Sequence, residues 1–281
     1  MINRRRFCGI KQMSYLVGIT GKGGVGKTTV AALLTILSIR RRWRPVLAVD
    51  ADPNTCLDAA LGVSAVKTVG SIREEAREIA GKGMLSGISK QELLGLKIGE
   101  CLVEADDFDL IAMGRPEGPG CYCYANSVLK SVLDEISSQY PLVVLDNEAG
   151  LENLSRRIVQ KVNLLIMVSD PSKRGFETVR RLYALAREMD MRYDRLAIVI
   201  NRLQRDECAS AIPELKTDTG ADYIVSLPEN PELAEMSESG KDLWSISSGN
   251  AVAAQLDAFL DLWSAQACLR LQSGSKLPQS R

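Results

Sequence analysis

One segment near the start of the chain limits the possible folds more than any other. Residues 18–34 read GITGKGGVGKTTVAALL and contain the pattern G-x-x-x-x-G-K-T, with an apolar run before it and a helix-like run after it. A strand, a glycine-rich loop and a helix in this order are typical of a loop that binds phosphates, because the glycines let the backbone N–H groups turn inward and the helix start adds positive potential. The segment therefore predicts a nucleotide-binding α/β fold.

Seven apolar, strand-like runs recur along the chain, with helix-like segments between several of them. Their apolarity is continuous rather than alternating, which is typical of strands that are buried on both faces. The segments 27–41 and 174–189 are helix-like, with apolar residues every three or four positions in the second. This pattern predicts a doubly wound, mostly parallel sheet flanked by helices. The predicted strands are 15–20, 45–50, 109–114, 141–146, 164–169, 196–201 and 223–228.

A length of 281 residues and a hydrophobic content of 46% are sufficient for one large domain with a substantial core. We expect a single ATPase domain over residues 14–265, in which residues 62–100 are a glycine- and charge-rich insertion. Residues 1–13 are either a disordered arm or an artefact of an upstream translation start, since Met13 stands just before the first strand. Residues 266–281 are expected to form a disordered tail.

The composition excludes several classes of function. The 35 basic residues balance the 35 acidic ones, so no field of the whole chain attracts nucleic acid or an anionic membrane. The chain shows no signal-peptide core and no apolar run near the ~20 residues of a membrane span. Its seven scattered cysteines fit a reducing compartment. These features predict a soluble cytoplasmic protein without nucleic-acid or membrane partners.

The chain contains no histidine. Catalysis by imidazole is therefore excluded, and any site for a soft metal must be built from thiolates.

The glycine-rich loop predicts how ATP and magnesium would bind. Its backbone N–H groups would cradle the β-phosphate, Lys27 would reach the β- and γ-phosphates, and the Thr28 hydroxyl would ligate Mg²⁺. The predicted nucleotide-binding residues of the loop are Gly21, Gly23, Gly24, Val25, Gly26, Lys27, Thr28 and Thr29.

Two acidic clusters follow predicted strands at their carboxyl ends, the edge at which open α/β sheets bind ligands. The first is VDADPN, with Asp50 and Asp52, and the second is LDNEAG, with Asp146 and Glu148. Each aspartate alone could cap a turn. Together, behind a phosphate-binding loop, the clusters predict carboxylates that hold Mg²⁺ directly or through water and orient an attacking water at the γ-phosphate.

The loop contains a second lysine, Lys22, which is not needed to cradle phosphates within one chain. The segment GKGGVGKTT resembles the deviant Walker A motif of the MinD, ParA and nitrogenase iron-protein superfamily. The resemblance implies that Lys22 reaches the nucleotide of a partner chain and that the active form is a homodimer; on spacing alone, a solvated lysine is a fair alternative. The similarity also implies that Asp52 positions the water in a first switch and that Asp146 is the Walker B acid of a second.

Two further segments, VINR (199–202) and SLPENPEL (226–233), are similar to the adenine-contacting segments of that superfamily. The similarity implies that Asn201 reads the base edge and that the loop near Pro228 covers it. Taken alone, Asn201 could equally be a strand-end cap and Pro228 a turn residue.

The segment GPGCYCYAN (118–126) carries two cysteines one residue apart. In an extended segment, Cys121 and Cys123 would point to the same side and could offer two sulfurs to one metal ion. Two such pairs that met across a dimer would supply four thiolates, a set that suits tetrahedral Zn²⁺ and can also hold Ni²⁺. Two alternatives stay open: two small buried side chains, or a redox pair, which more often has the spacing C-x-x-C.

Three longer segments support the interpretation of the two cysteines as a metal site. MGRPEGPGCYCYAN (113–126), LDNEAGLENLSRR (145–157) and VSDPSKRGFETVRR (168–181) closely resemble the CooC family of maturation ATPases, which support nickel insertion into carbon monoxide dehydrogenase; a sister factor acts on acetyl-CoA synthase. The resemblance extends from Tyr15 to about residue 265. It implies that Cys121 and Cys123 bind one metal ion between two subunits and that one of these nickel enzymes is the client.

Two other functions within the superfamily are the alternatives. A nitrogenase iron-protein-like reductase would carry a second cluster cysteine three residues after the Walker B aspartate, where this chain has Ala149. A MinD- or ParA-like positioning protein would carry a basic amphipathic C-terminal helix or a basic patch. The tail ACLRLQSGSKLPQSR is short and interrupted by Gly274 and Pro278, and the balanced charge does not indicate such a patch. The sequence therefore favours an ATP-gated metallochaperone.

Overall fold

A single sheet forms the centre of the fold in a computed structural model that describes residues 14–71, 99–115, 122–151, 161–204 and 211–266. Within these residues the strands are β1 (Tyr15–Gly21), β2 (Val46–Ala51), β3 (Val103–Glu104), β4 (Phe108–Ala112), β5 (Leu142–Asn147), β6 (Lys161–Ser169), β7 (Arg192–Leu203) and β8 (Tyr223–Pro228). Their order in the sheet is β3-β4-β2-β5-β1-β6-β7-β8. Every neighbouring pair is parallel except β3 and β4, so the predicted mostly parallel sheet is confirmed.

All seven predicted strands are present, and the additional strand β3 has only two residues, too few to form an apolar run. The two predicted helices agree with the structure to within a residue at each end. The helices are α1 (Lys27–Arg40), α2 (Leu57–Ala60), α3 (Tyr122–Ile136), α4 (Lys173–Glu188), α5 (Ala211–Thr219), α6 (Pro231–Ser239) and α7 (Ala251–Gln266). Residues 69–71 and 99–101 are also helical, and 137–139 and 243–245 form 3₁₀ turns.

Helices cover both faces of the sheet, because successive residues of each strand point to opposite faces. On one face, Val144 of β5 belongs to a buried cluster with Leu33 of α1. On the other face, the next residue, Leu145, belongs to a second buried cluster with Leu129 of α3 and Phe176 of α4. The sheet is therefore doubly wound, with α1 behind one face and α3 and α4 behind the other.

The carboxyl ends of the central strands meet at one edge of the sheet. In the strand register, Asp50 of β2 lies beside Asp146 of β5, which lies beside Ile19 of β1. The glycine-rich loop follows β1 at this same edge. Sheet pairing thus brings together three segments that are far apart in the sequence.

Some predicted segments lie outside the described residues: the arm 1–13, residues 72–98 of the insertion, and residues 267–281 of the tail. Gln266, the first residue of the predicted tail, still belongs to α7. Of the helices that the described residues form, none is both long enough and apolar enough to span a membrane.

Candidate functional site

The glycine-rich loop (residues 21–26) joins β1 to α1, and two of its glycines are required by close neighbours. Gly21 has φ +154°, and a Cβ atom there would lie 2.3 Å from the backbone oxygen of Val168 in β6. Gly26 precedes α1 with φ +95°, and a Cβ atom there would lie 2.4 Å from Nδ2 of Asn201. Both the backbone conformation and the space at these two positions therefore require glycine.

Asn201, near the end of β7, stabilises the glycine-rich loop through a hydrogen bond. Its Nδ2 donates a hydrogen bond to the backbone oxygen of Val25 at 2.8 Å. Pro228 is half-buried and ends the neighbouring strand β8. The two residues predicted to contact adenine thus lie on adjacent strands, and their contact with the base stays a prediction. No feature of the sequence predicts the hydrogen bond from Asn201 to Val25.

The two lysines of the loop have different environments. Lys27, the first residue of α1, is only 8% exposed, and its Nζ donates a hydrogen bond to the backbone oxygen of Lys22 at 3.2 Å. Its ammonium group is therefore folded back over the loop. The side chain of Lys22 is exposed, so it is accessible to a partner chain, as it would also be if it were only solvated.

Asp146, at the end of β5, is 1% exposed, and this burial raises its pKa to about 7. A hydrogen bond with Thr28 opposes the increase, the charge of Asp50 adds to it, and the charge of Lys27 opposes it. Among the described residues, Oδ1 of Asp146 has no hydrogen-bond partner. A buried, unpartnered carboxylate oxygen near Thr28 fits a divalent cation or a water bound to it, so the residues present fit the predicted Mg²⁺.

Asp50 and Asp52 have different surroundings, a difference that their spacing in the sequence does not predict. The carboxylate of Asp50 is fully buried and accepts hydrogen bonds from the backbone N–H groups of Asp52, Cys56 and Leu57 at 3.0, 2.8 and 2.9 Å. Burial raises the pKa of Asp50, and these hydrogen bonds oppose the increase. Asp50 therefore anchors the first acidic loop (residues 50–57). Asp52 is half-buried, and its action on water stays a prediction.

The second acidic loop (residues 146–151) is held by a clamp that the sequence does not suggest. The backbone oxygen of Gly150 accepts hydrogen bonds from Thr20 Oγ1 at 2.6 Å and from Asn147 Nδ2 at 3.0 Å. Thr20 and Asn147 are both buried, and Oδ1 of Asn147 has no partner among the described residues. The only related feature of the sequence is that two otherwise apolar strands have polar residues near their ends. The clamp ties the second acidic loop to the strand that carries the glycine-rich loop.

The predicted metal pair is described only in part. Cys121 lies outside the described residues, as does the side chain of Cys123. The expectation that Cys123 lies in an extended segment is wrong, because its backbone is in the first turn of α3. The physical reason is the helical spacing of Leu129, Val132 and Leu133, which are buried in the core. Within the described parts of the chain, no three cysteine or carboxylate side chains form a group that could hold a metal ion.

Comparison with known proteins identifies relatives along most of the chain. The family model described as CobQ/CobB/MinD/ParA nucleotide binding domain matches residues 16–243. An uncharacterized ATP-binding protein of Methanocaldococcus jannaschii is 40% identical over 238 residues, which are 84% of this chain and 93% of that protein. The carbon monoxide dehydrogenase accessory protein CooC of Rhodospirillum rubrum is 30% identical over 188 residues, 63% of this chain and 70% of that protein.

Solved structures show the same fold. The septum site-determining protein MinD of Pyrococcus horikoshii in complex with Mg-ADP aligns with a TM-score of 0.62 and 18% identity, covering 90% of this chain and 98% of that one. At this identity the likeness concerns the fold alone.

Proposed function

The chain belongs to the CobQ/CobB/MinD/ParA family of nucleotide-binding proteins, and we propose that it is an ATP-hydrolysing metallochaperone. In this proposal a homodimer binds nickel at Cys121 and Cys123 of both chains and delivers the metal to carbon monoxide dehydrogenase or to acetyl-CoA synthase. The relative that carries this choice within the family is the carbon monoxide dehydrogenase accessory protein CooC, at 30% identity.

The position of α3 supports a link between the cysteine pair and the nucleotide. Strand β4 ends at the carboxyl edge of the sheet, and α3 runs back from that edge to the start of β5 at Leu142. The first turn of α3, with Cys123, therefore lies at the edge that carries the glycine-rich loop and both acidic loops.

The residues of the nucleotide site suit hydrolysis. Lys27 and the N–H groups of the loop would hold the β- and γ-phosphates, Thr28 and Asp146 would hold Mg²⁺, and Asp52 would orient the attacking water. Bound Mg²⁺ would neutralise charge on the phosphate oxygens. The water oxygen would bond to the γ-phosphorus as the bond to the bridging oxygen breaks, which yields ADP and inorganic phosphate.

Nickel affinity that depends on the bound nucleotide is the central expectation. We expect a non-hydrolysable ATP analogue to raise Ni²⁺ affinity at least about 10-fold over ADP, a coupling of ~1.4 kcal/mol, with one metal ion per two chains. Metal titration with analytical ultracentrifugation measures both quantities. Equal affinities with the two nucleotides would exclude the proposed gating.

Cysteine variants test the site itself. We expect Cys121→Ser and Cys123→Ser to lower metal affinity by at least about 100-fold, because each removes thiolates from both halves of the site. Cys56→Ser is the matched control, since Cys56 is an exposed free cysteine in a different loop. Unchanged metal stoichiometry in the two variants would refute the site. In that case, co-sedimentation with liposomes or DNA in the presence of ATP would identify a positioning protein instead.

The raised pKa of Asp146 predicts a pH dependence of nucleotide binding. Because the folded pKa is about 7 against an ordinary 3.8, the stability that protonated Asp146 contributes to the nucleotide-free protein is fully present below pH 3.8 and is lost as the pH rises from 3.8 to about 7. Mg²⁺ favours the charged carboxylate, so Mg-ADP should raise the melting temperature by about 2–4 °C more at pH 8 than at pH 6. Thermal melts at both pH values measure this. Asp146→Asn should remove the difference, and a difference that persists in this variant would assign it to another group.

A further inference from the structure

Asn54 links the Asp52 carboxylate of the first acidic loop to Arg115, which lies in the segment after β4. Oδ1 of Asp52 accepts hydrogen bonds from the backbone N–H of Asn54 at 2.8 Å and from Asn54 Nδ2 at 2.9 Å. The side-chain oxygen of Asn54 accepts a hydrogen bond from Nη2 of Arg115. Asn54 and Arg115 are both exposed, so neither contributes to the core.

The contacts fix the orientation of each group in turn. A guanidinium group can only donate hydrogen bonds, so Arg115 selects the oxygen end of the Asn54 amide and directs its NH₂ group to Asp52. Both donors then meet the same carboxylate oxygen, Oδ1. No described residue donates a hydrogen bond to Oδ2 of Asp52, so this oxygen stays available to accept one from water.

The backbone under Arg115 is itself held in place. Arg115 follows β4, which pairs with β2 in parallel register. Beyond β4, the N–H of Met113 donates to the backbone oxygen of Asp50 at 2.8 Å, and the oxygen of Met113 accepts from Gly70 at 2.8 Å. Gly114 has φ +62°, and a Cβ atom there would lie 2.2 Å from Thr68 Oγ1. The backbone just before Arg115 is therefore held in place beside the first acidic loop.

We propose that Asn54 and Arg115 are positioning residues for ATP hydrolysis. They hold the Asp52 carboxylate by Oδ1 so that Oδ2 orients the attacking water. The proposal rests on the proposed role of Asp52 and assigns two residues that act through it. Correct placement of a group that orients a reactant affects the rate of the chemical step more than the binding of the nucleotide.

Steady-state ATP hydrolysis tests the proposal. We expect Arg115→Ala and Asn54→Ala each to lower kcat about 10-fold while changing the KM for ATP less than about twofold. Arg115→Lys, which retains a cationic donor, should recover part of the rate. Arg180→Ala is the matched control, because Arg180 of α4 pairs with a side chain of α5, Asp218, at 2.6 Å. Its kcat should equal that of the wild type.

A double-mutant cycle separates this arrangement from two independent effects. If Arg115 acts only through Asn54, the double variant should be no slower than Asn54→Ala alone. If the reductions in kcat of the two single variants multiply in the double variant, Arg115 does not act through Asn54. Hydrogen exchange of peptides that cover residues 51–57 supplies a readout without nucleotide: exchange should be faster in Arg115→Ala than in Arg180→Ala, and equal rates would also contradict it.

Asp52→Asn distinguishes failure of this proposal from failure of the proposed function. If Asp52→Asn does not change kcat, the role of Asp52 in hydrolysis is wrong, and the positioning of Asp52 with it. If Asp52→Asn lowers kcat but Arg115→Ala and Asn54→Ala do not, the role of Asp52 stands and only the positioning residues are wrong.

Discussion

Lys27→Ala is expected to lower ATP hydrolysis by at least about 100-fold, because it removes the ammonium group that would stabilise charge on the β- and γ-phosphates. The fold should persist, since Nζ of Lys27 makes a hydrogen bond only to the backbone of Lys22 among the described residues. Phosphate release measures the rate, and circular dichroism checks the fold. Lys130→Ala is the control, because Lys130 is a surface lysine of α3 paired with Asp134. A Lys27→Ala variant with wild-type kcat would contradict the assignment of the loop.

Mixing two inactive variants extends this prediction to Lys22. If Lys22 acts on the partner's nucleotide, a mixed dimer of Lys22→Ala and Lys27→Ala chains contains one complete site, built from Lys27 of one chain and Lys22 of the other. Hydrolysis should then recover to about a quarter of the wild-type rate, because random pairing makes half of the dimers mixed and each has one of two sites intact. No recovery would show that both lysines serve the same chain.

Gly21→Ala is expected to be the most destabilising substitution in the loop. The new Cβ would lie 2.3 Å from the oxygen of Val168, which is backbone of a central strand and cannot move away cheaply, and φ of +154° is unfavourable for alanine. We expect a loss of at least ~3 kcal/mol in the free energy of unfolding, or a fall of roughly 6–12 °C in melting temperature.

A second glycine separates the two causes of this loss. Gly240 also has a positive φ, +66°, but a Cβ atom there would meet no atom within 4 Å. Gly240→Ala should therefore lose only the ~1 kcal/mol that belongs to the backbone conformation. Equal losses at the two positions, measured by chemical denaturation, would show that the contact with Val168 is not the cause.

The sheet and the loop could be predicted because their signals are local. A strand buried on both faces must be apolar at every position, and seven such runs are present in the sequence. The start of α3 was harder to predict, because a glycine- and proline-rich stretch leads directly into a helical pattern without a clear boundary. Cys123 lies on the helical side of that boundary.

The division of roles between the aspartates could not be predicted from spacing. Asp50 and Asp52 are two residues apart, and both follow an apolar strand. What separates them is that Asp50 is buried where three backbone N–H groups converge on its carboxylate, whereas Asp52 meets Asn54. Such convergence depends on how the chain turns after the strand, which residue types alone do not specify.

The sequence by itself determined the class of fold and identified the glycine-rich loop of a nucleotide-binding domain, because continuous apolarity, and a glycine-rich run followed by a lysine and a threonine at a helix start, are patterns within a few neighbouring residues. Only the tertiary structure decided which polar groups hold the glycine-rich loop and the two acidic loops. Thr20 donates a hydrogen bond to Gly150, Asn201 donates one to Val25 and Arg115 donates one to Asn54. These partners are 61 to 176 residues apart in the chain, so strand order and register, rather than local preference, bring them within hydrogen-bond distance.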